Sequence, residues 1–123
     1  MKGVDLRKMS VPQLVEQFTI FCVGQFQAEL YSEIAKQNKF IRQSIAVADE
    51  LKGRAGDQRI ALVPLLVHPN PQVRMMAAQF TLAVAPAAAR QALQDLSDQN
   101  IYPQAAYARG TLMALDKGER KPT

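Results

Sequence analysis

The stretch "LLVHPNPQVRMMAAQF", residues 65–80, constrains the fold more than any other part of the chain. Pro69 and Pro71 cannot both lie inside one continuous helix, because each lacks the amide donor and its ring clashes with the preceding turn. Apolar residues keep a helical spacing on either side, so the segment predicts two helices joined by a tight corner. Asn70 is placed to cap the second helix and Pro71 to occupy its first position. Ala77 and Ala78 are small enough for that helix to approach a neighbour closely once the corner has folded it back.

The rest of the chain reads in the same language. Ser10 and Gln13 form a capping box, Met9 and Leu14 a hydrophobic staple, and Pro12 sits in the first turn, where its missing hydrogen is not needed. Val11, Leu14, Val15, Phe18, Phe21, Cys22 and Phe26 then share one side of a helix. Ile20 and Val23 fall on the other side, among Gln13, Glu16 and Gln27. This helix is therefore covered on two sides or meets a partner. A second helix is expected from Glu33 to Arg54, with Ile34, Ile41, Ile45 and Ala48 as its apolar stripe, widened by Phe40, Val47 and Leu51. Gly53 and Gly56 end it, and Asp57 can cap the next helix.

Shorter helices are expected over Gln58–Val67, from Pro71 with Val73, Ala77, Phe80, Thr81 and Val84 inward, over Pro86–Leu96 and over Pro103–Leu115. Gly118 stops the last, and "ERKPT" reads as a solvated end. No alternating β-branched run survives inspection. The prediction is an all-α chain of about six helices in a single domain, 1–123. Its parts are two long helices (10–54), a repeat-like region (57–98), a closing helix (103–117) and a tail (118–123).

"LVPLLVHPNPQVRMMAAQFTLAVAP" resembles a HEAT-type repeat: a leucine-rich helix, a proline-containing turn, then a Val-Arg pair and an alanine-rich helix. Val73 and Arg74 match the pair, Pro69 and Pro71 the turn, Ala77 and Ala78 the small positions. His68 and Asn70 stand where that turn normally carries aspartates. The whole chain is also similar to a family of small bacterial proteins of unknown function, through "DELKGRAGDQRIALVPLL", "HPNPQVR", "TLAVAP" and "ALDKGERKP". The resemblance implies HEAT/armadillo-like stacked antiparallel helices, whose apolar faces need neighbours to cover them. It implies no activity. Arg74 would brace such a stack by bonding backbone or a neighbouring carboxylate, and His68 would serve the turn, capping carbonyls.

Composition narrows function mainly by exclusion. With 48% hydrophobic and 21% charged residues, the balance is that of a globular chain. One cysteine, Cys22, and one histidine, His68, fall short of the ligand set a zinc or iron site needs. Cys22 on an apolar helix face reads as a small buried hydrophobe. Asp49 and Glu50 diverge on their helix, whereas Asp95 and Asp98 share a side but sit as solvated residues would. No phosphate loop, nucleophile elbow or nucleotide fingerprint is present. The sequence predicts no enzyme, no cofactor and no metal. The opening "MKGVDLRKMSVPQL" lacks a leader's apolar core, and the expected setting is the cytoplasm of a bacterium.

The net charge of +4 is spread out: residues 33–54 carry five basic against three acidic groups, and residues 99–123 carry four against two. Lys36, Lys39 and Arg42 climb the second helix at spacings of three, a candidate contact for phosphates or an acidic partner. HEAT-like stacks hold nucleic acid in basic grooves, but no aromatic is interleaved here for base stacking. Tyr102, Tyr107, Met75, Met76 and Met113 are expected mostly in the core. The leading expectation is a non-enzymatic interaction module binding a protein partner through Ile20 and Val23, as a monomer or small homo-oligomer. Nucleic-acid binding through Lys36, Lys39 and Arg42 is one alternative, and a toxin-neutralising role is another.

Overall fold

A computed structural model of the chain describes residues 5–123. Residues 1–4, which open the stretch read above for a leader, lie outside the described residues. The described residues form helices and no strand: α1 (Val11–Leu30), α2 (Ile34–Gly53), α3 (Pro71–Thr81), α4 (Pro86–Gln99) and α5 (Gln104–Asp116). A 3-10 segment, Gln58–Val67, separates α2 from α3, and a short 3-10 turn, Leu6–Lys8, precedes α1. By internal contacts the chain divides into two compact units, Met1–Ala61 and Leu62–Thr123. The division falls inside the expected repeat region.

In the first unit α1 starts on the predicted capping box: Ser10 Oγ accepts from the Gln13 amide at 3.3 Å and Gln13 Oε1 from the Ser10 amide at 2.8 Å. α1 ends in a Schellman turn. Ser32 takes the left-handed conformation (φ 54°), and the amides of Ser32 and Glu33 reach back to the carbonyls of Glu29 and Ala28. The chain therefore reverses within three residues, and α2 packs antiparallel along α1. Leu14, Phe18, Cys22 and Ala28 of α1 and Val47, Ala48 and Leu51 of α2 are buried. Gly24 permits the closest approach, since a Cβ there would stand 2.8 Å from the Phe40 ring.

The stripe expected on α2 needs correction. Ile34 is 68% and Ile45 39% exposed, while Ser44, Val47 and Leu51 carry the packed line. Ile45 lies about 100° further round the helix than Ser44, and Ile34 is displaced to the same side.

Gln58–Val67 keeps the predicted bounds but not the predicted helix type. In an α-helix the ring of Pro64 would clash with the carbonyl four residues back, and the tighter 3-10 winding avoids that clash. The first arm of the proline corner is thus not the leucine-rich α-helix that a HEAT-type repeat carries.

The second unit begins with the corner itself. Asn70 Oδ1 accepts from the amides of Gln72 at 2.8 Å and Val73 at 3.3 Å, with Pro71 as the first helical residue. α3 packs on α4, α4 on α5, and α3 also touches α5. The contacts are narrow because Ala77, Ala78, Ala89, Ala105 and Ala108 are buried, with Leu93 and Leu96 filling between them. Val73, Ala77 and Thr81 are buried as expected, but Phe80 and Val84 are only half-buried. A buried amide pair, Gln104 Nε2 donating to Gln72 Oε1 at 2.9 Å, ties α5 to α3. α4 runs to Gln99, three residues past the expected Leu96, and stops where Asn100 turns left-handed (φ 55°). Gly118 (φ 71°) ends α5 in a second Schellman turn, with the Glu119 amide reaching the Ala114 carbonyl at 2.9 Å.

Candidate interaction surface

α1 and α2 leave a groove on their outward side. It encloses about 370 Å³ and is lined by Thr19, Ile20, Val23, Gly24, Gln27 and Phe40. Its cause is local: Gly24 contributes no side chain, and the ring of Phe40 lies across the α1 backbone as the floor. Phe21 backs that ring at a centroid distance of 6.5 Å. Ile20 forms one wall and is 49% exposed, and Val23 beside it is half-buried. Past the end of the groove, Leu30, Tyr31 and Ile34 are also exposed at the α1–α2 turn. An apolar patch facing solvent in this way is a common mark of a contact surface.

At about 100° per residue, Glu16, Ile20, Val23 and Gln27 share one side of α1, while on α2 Lys36 lies about 40° and Lys39 about 100° round from the groove residue Phe40. Lys36 is paired with Glu33 at 2.8 Å. Lys39 and Glu16 are exposed, and neither has an ion-pair partner among the described residues. Arg42 is exposed too, but the three basic residues advance round the helix, so Arg42 has left the groove side. The structure brings Ile20 and Val23 together in the groove lining, which includes none of Lys36, Lys39 and Arg42.

The corner residues serve the second unit. His68 Nδ1 accepts from the Asn70 amide at 3.0 Å, so it holds an amide rather than capping carbonyls. Pro69 is exposed in the turn. Arg74 braces α3 to α4 through Gln99 Oε1 at 3.0 Å, an amide side chain where backbone or a carboxylate was expected. Met75 and Met76 are core, but Tyr102, Tyr107 and Met113 are more than half exposed, against expectation.

The polar residues weighed for chemistry stand apart from one another. Burial pushes the Cys22 thiol far above its ordinary range. Glu50 pairs with Arg54 at 2.9 Å. Asp95 and Asp98 accept from Gln91 and Gln94, each at 2.9 Å and one turn earlier. Among the described residues no group of three or more His, Cys, Asp or Glu is placed to hold a metal ion, and no helix is long and apolar enough to cross a membrane.

The expected cap at Asp57 forms, within the first of two polar clusters that the sequence did not otherwise indicate. Asp57, in the left-handed region (φ 49°), accepts from the Arg59 amide, Nε (2.8 Å) and Nη2 (2.6 Å). These bonds hold its carboxyl below the ordinary 3.8. A carboxylate with a depressed folded-state pKa adds stability above its unfolded value and loses it as pH falls through the folded one. Asp57→Asn should therefore be less stable than the parent near neutrality, with the gap closing as pH falls below the ordinary carboxylate range. Thermal melts across that range check this: a gap independent of pH would show that the charge contributes nothing. The second cluster gathers on Arg109, which bonds Ser97, Asn100 and Tyr102.

Comparison with known proteins agrees with this architecture. The crystal structure of the protein RPA1889 from Rhodopseudomonas palustris CGA009 is similar at a TM-score of 0.96 and 42% identity, covering 98% of this chain and 100% of that one. A search of curated proteins finds no match. Residues 12–116, from the first turn of α1 to the end of α5, match the model of the family described as Domain of unknown function (DUF2019), and the chain belongs to that family.

Proposed function

We propose that this chain is a non-enzymatic interaction module that binds a protein partner through the outward α1–α2 face, its helices paired on short turns in a HEAT-like manner, and that it works in a bacterial cytoplasm. The observation that carries the reading is the groove: an apolar hollow open to solvent, walled by the exposed Ile20 and floored by Phe40. Leaving such a surface wet costs about 25 cal/mol for each Å² that a partner would cover. The polar residues weighed for catalysis are spread among separate local bonds, which favours a binding role. Nucleic acid is a weaker reading, because Lys36 is already neutralised by Glu33 and Arg42 points away from the groove.

The test compares baits. The intact chain and its Ile20→Glu and Val23→Glu variants, each verified as folded by circular dichroism, are used for capture from native lysate with mass spectrometry. A protein retained by the parent and lost from both variants is the expected result. If the parent and the two variants retain the same set of proteins, the reading is defeated.

A further inference from the structure

We propose that two polar rungs, Gln72–Gln104 and Gln79–Thr111, fix the register of α5 along α3, so that the second unit takes one packing rather than several. The connections through residues 82–85 and 100–103 are short, so α3 and α5 both run antiparallel to α4 and parallel to each other. Gln104 Nε2 donates to Gln72 Oε1 at 2.9 Å, and Gln79 Nε2 donates to Thr111 Oγ1 at 2.8 Å. Both pairs span 32 positions, so the same seven-residue step separates them on each helix. Seven residues are two turns, about 10.5 Å of rise, and return a side chain to within about 20° of its starting direction. The two bonds are therefore successive rungs of one seam between parallel helices.

Shape alone places these helices poorly. Ala77, Ala78, Ala89, Ala92, Ala105 and Ala108 are buried, and methyl groups offer few of the knobs and holes that resist sliding. α3 also packs far less on α5 than either does on α4. A slip of one turn along the seam would set Gln72 level with Ala108, or Gln104 level with Met76. Either slip strands a buried amide against an apolar side chain.

The rungs suit this role because the first of them is a poor source of stability. Gln72 and Gln104 are each 1% exposed, yet Gln72 Nε2 and Gln104 Oε1 have no hydrogen-bond partner among the described residues. Apolar side chains of similar size would carry no such penalty. The second rung is firmly oriented. Thr111 Oγ1 donates to the Tyr107 carbonyl at 3.0 Å, which leaves its lone pairs for Gln79, and Gln79 Oε1 accepts from Arg120. Polar pairs at single seam positions of coiled coils fix register in the same way, at a cost in stability.

Chemical denaturation and amide NMR spectra of full-chain variants test the inference. Gln72→Leu alone should lower the folding equilibrium constant by about tenfold or more, because it leaves the Gln104 amide buried without an acceptor. Adding Gln104→Leu should restore most of that loss. The fourfold variant, with Gln79→Leu and Thr111→Val as well, should stay folded, but its α3 and α5 amide signals should double or broaden while those of α1 and α2 stay single. One sharp set of α3 and α5 signals in a folded fourfold variant overturns the proposal, because shape then sets the register. A fourfold variant that fails to fold also overturns it, by making the rungs supports of stability. Double-mutant cycles at the two rungs give a reading that does not depend on the fourfold variant: coupling should appear at both, and its absence at either breaks the ladder.

Discussion

Phe18→Ala should lower the unfolding free energy by about 3–5 kcal/mol, whereas Ile20→Glu, two residues along the same helix, should change it by less than about 0.5 kcal/mol. Phe18 is fully buried and is the largest such side chain among the described residues. Its loss removes the transfer energy of an aromatic ring and leaves a cavity that rigid helices collapse around only in part. A small domain has about 5–15 kcal/mol in all, so this one change consumes a large share. Ile20 already faces water across half its surface, so a carboxylate there can stay hydrated. Urea unfolding of the two variants measures the contrast directly. A loss below about 1 kcal/mol at Phe18 would mean the α1 core is loosely packed. A large loss at Ile20 would make that position part of the core and remove the interaction surface.

The expected contrast would let a helix with apolar residues on two sides be stable and also carry the proposed contact. One side of α1 holds Leu14, Phe18 and Cys22 out of water regardless of any partner. The other side, with Ile20 and Val23, is supported by Gly24 and the Phe40 ring beneath it. The proposed recognition is therefore testable separately from folding, because groove substitutions are expected to change stability little.

Much of the fold was legible because its signals are local. The Ser10–Gln13 box, the Asn70 cap, Pro71, Pro86 and the Gly118 stop each act within a few residues, and short-range hydrogen bonds carry them out. Ile20 and Val23 were legible as surplus apolar residues on an already satisfied helix. The α2 stripe was not, since Ile34, Ile41 and Ile45 satisfy the helical period as well as Ser44, Val47 and Leu51 do. Only the line of approach to α1 decides between them. The winding of Gln58–Val67 was hidden for a similar reason: apolar content does not separate α from 3-10, and Pro64 was the one available cue. The groove needed three dimensions as well, because Gly24 and Phe40 are distant in sequence. Buried glutamines were the least legible of all. Gln72 and Gln104 sit at inward positions that a polarity count assigns to solvent, and they are tolerated there through the bond between them.

Arg109→Ala should cost about 2–3 kcal/mol, the largest loss expected from any polar residue outside the buried amide pair. Arg109 reaches back from α5 across the α4–α5 turn. Its Nε donates to Ser97 Oγ at 3.0 Å and its Nη2 to the Ser97 carbonyl at 2.7 Å. The same guanidinium donates to Asn100 Oδ1 and the Tyr102 hydroxyl and lies 5.4 Å from the centre of the Tyr102 ring. Ser97 stands in the last turn of α4, where carbonyls have no partner within the helix and the helix dipole is negative. A cation there adds a shorter bond to a carbonyl that otherwise accepts only from the Asn100 amide at 3.4 Å, and it opposes the dipole. Alanine takes the donor from the Ser97 hydroxyl and leaves its carbonyl only the 3.4 Å bond from the Asn100 amide, and the turn through Asn100 and Tyr102 loses the group that gathers it. Arg109→Lys is the discriminating variant, because it keeps the charge and discards the planar fork. If the fork matters, lysine should recover less than half of the loss in chemical denaturation, and amides in the last turn of α4 should exchange faster in both variants. Full recovery by lysine would show that charge at the helix end, rather than the geometry of the guanidinium, holds α4 to α5.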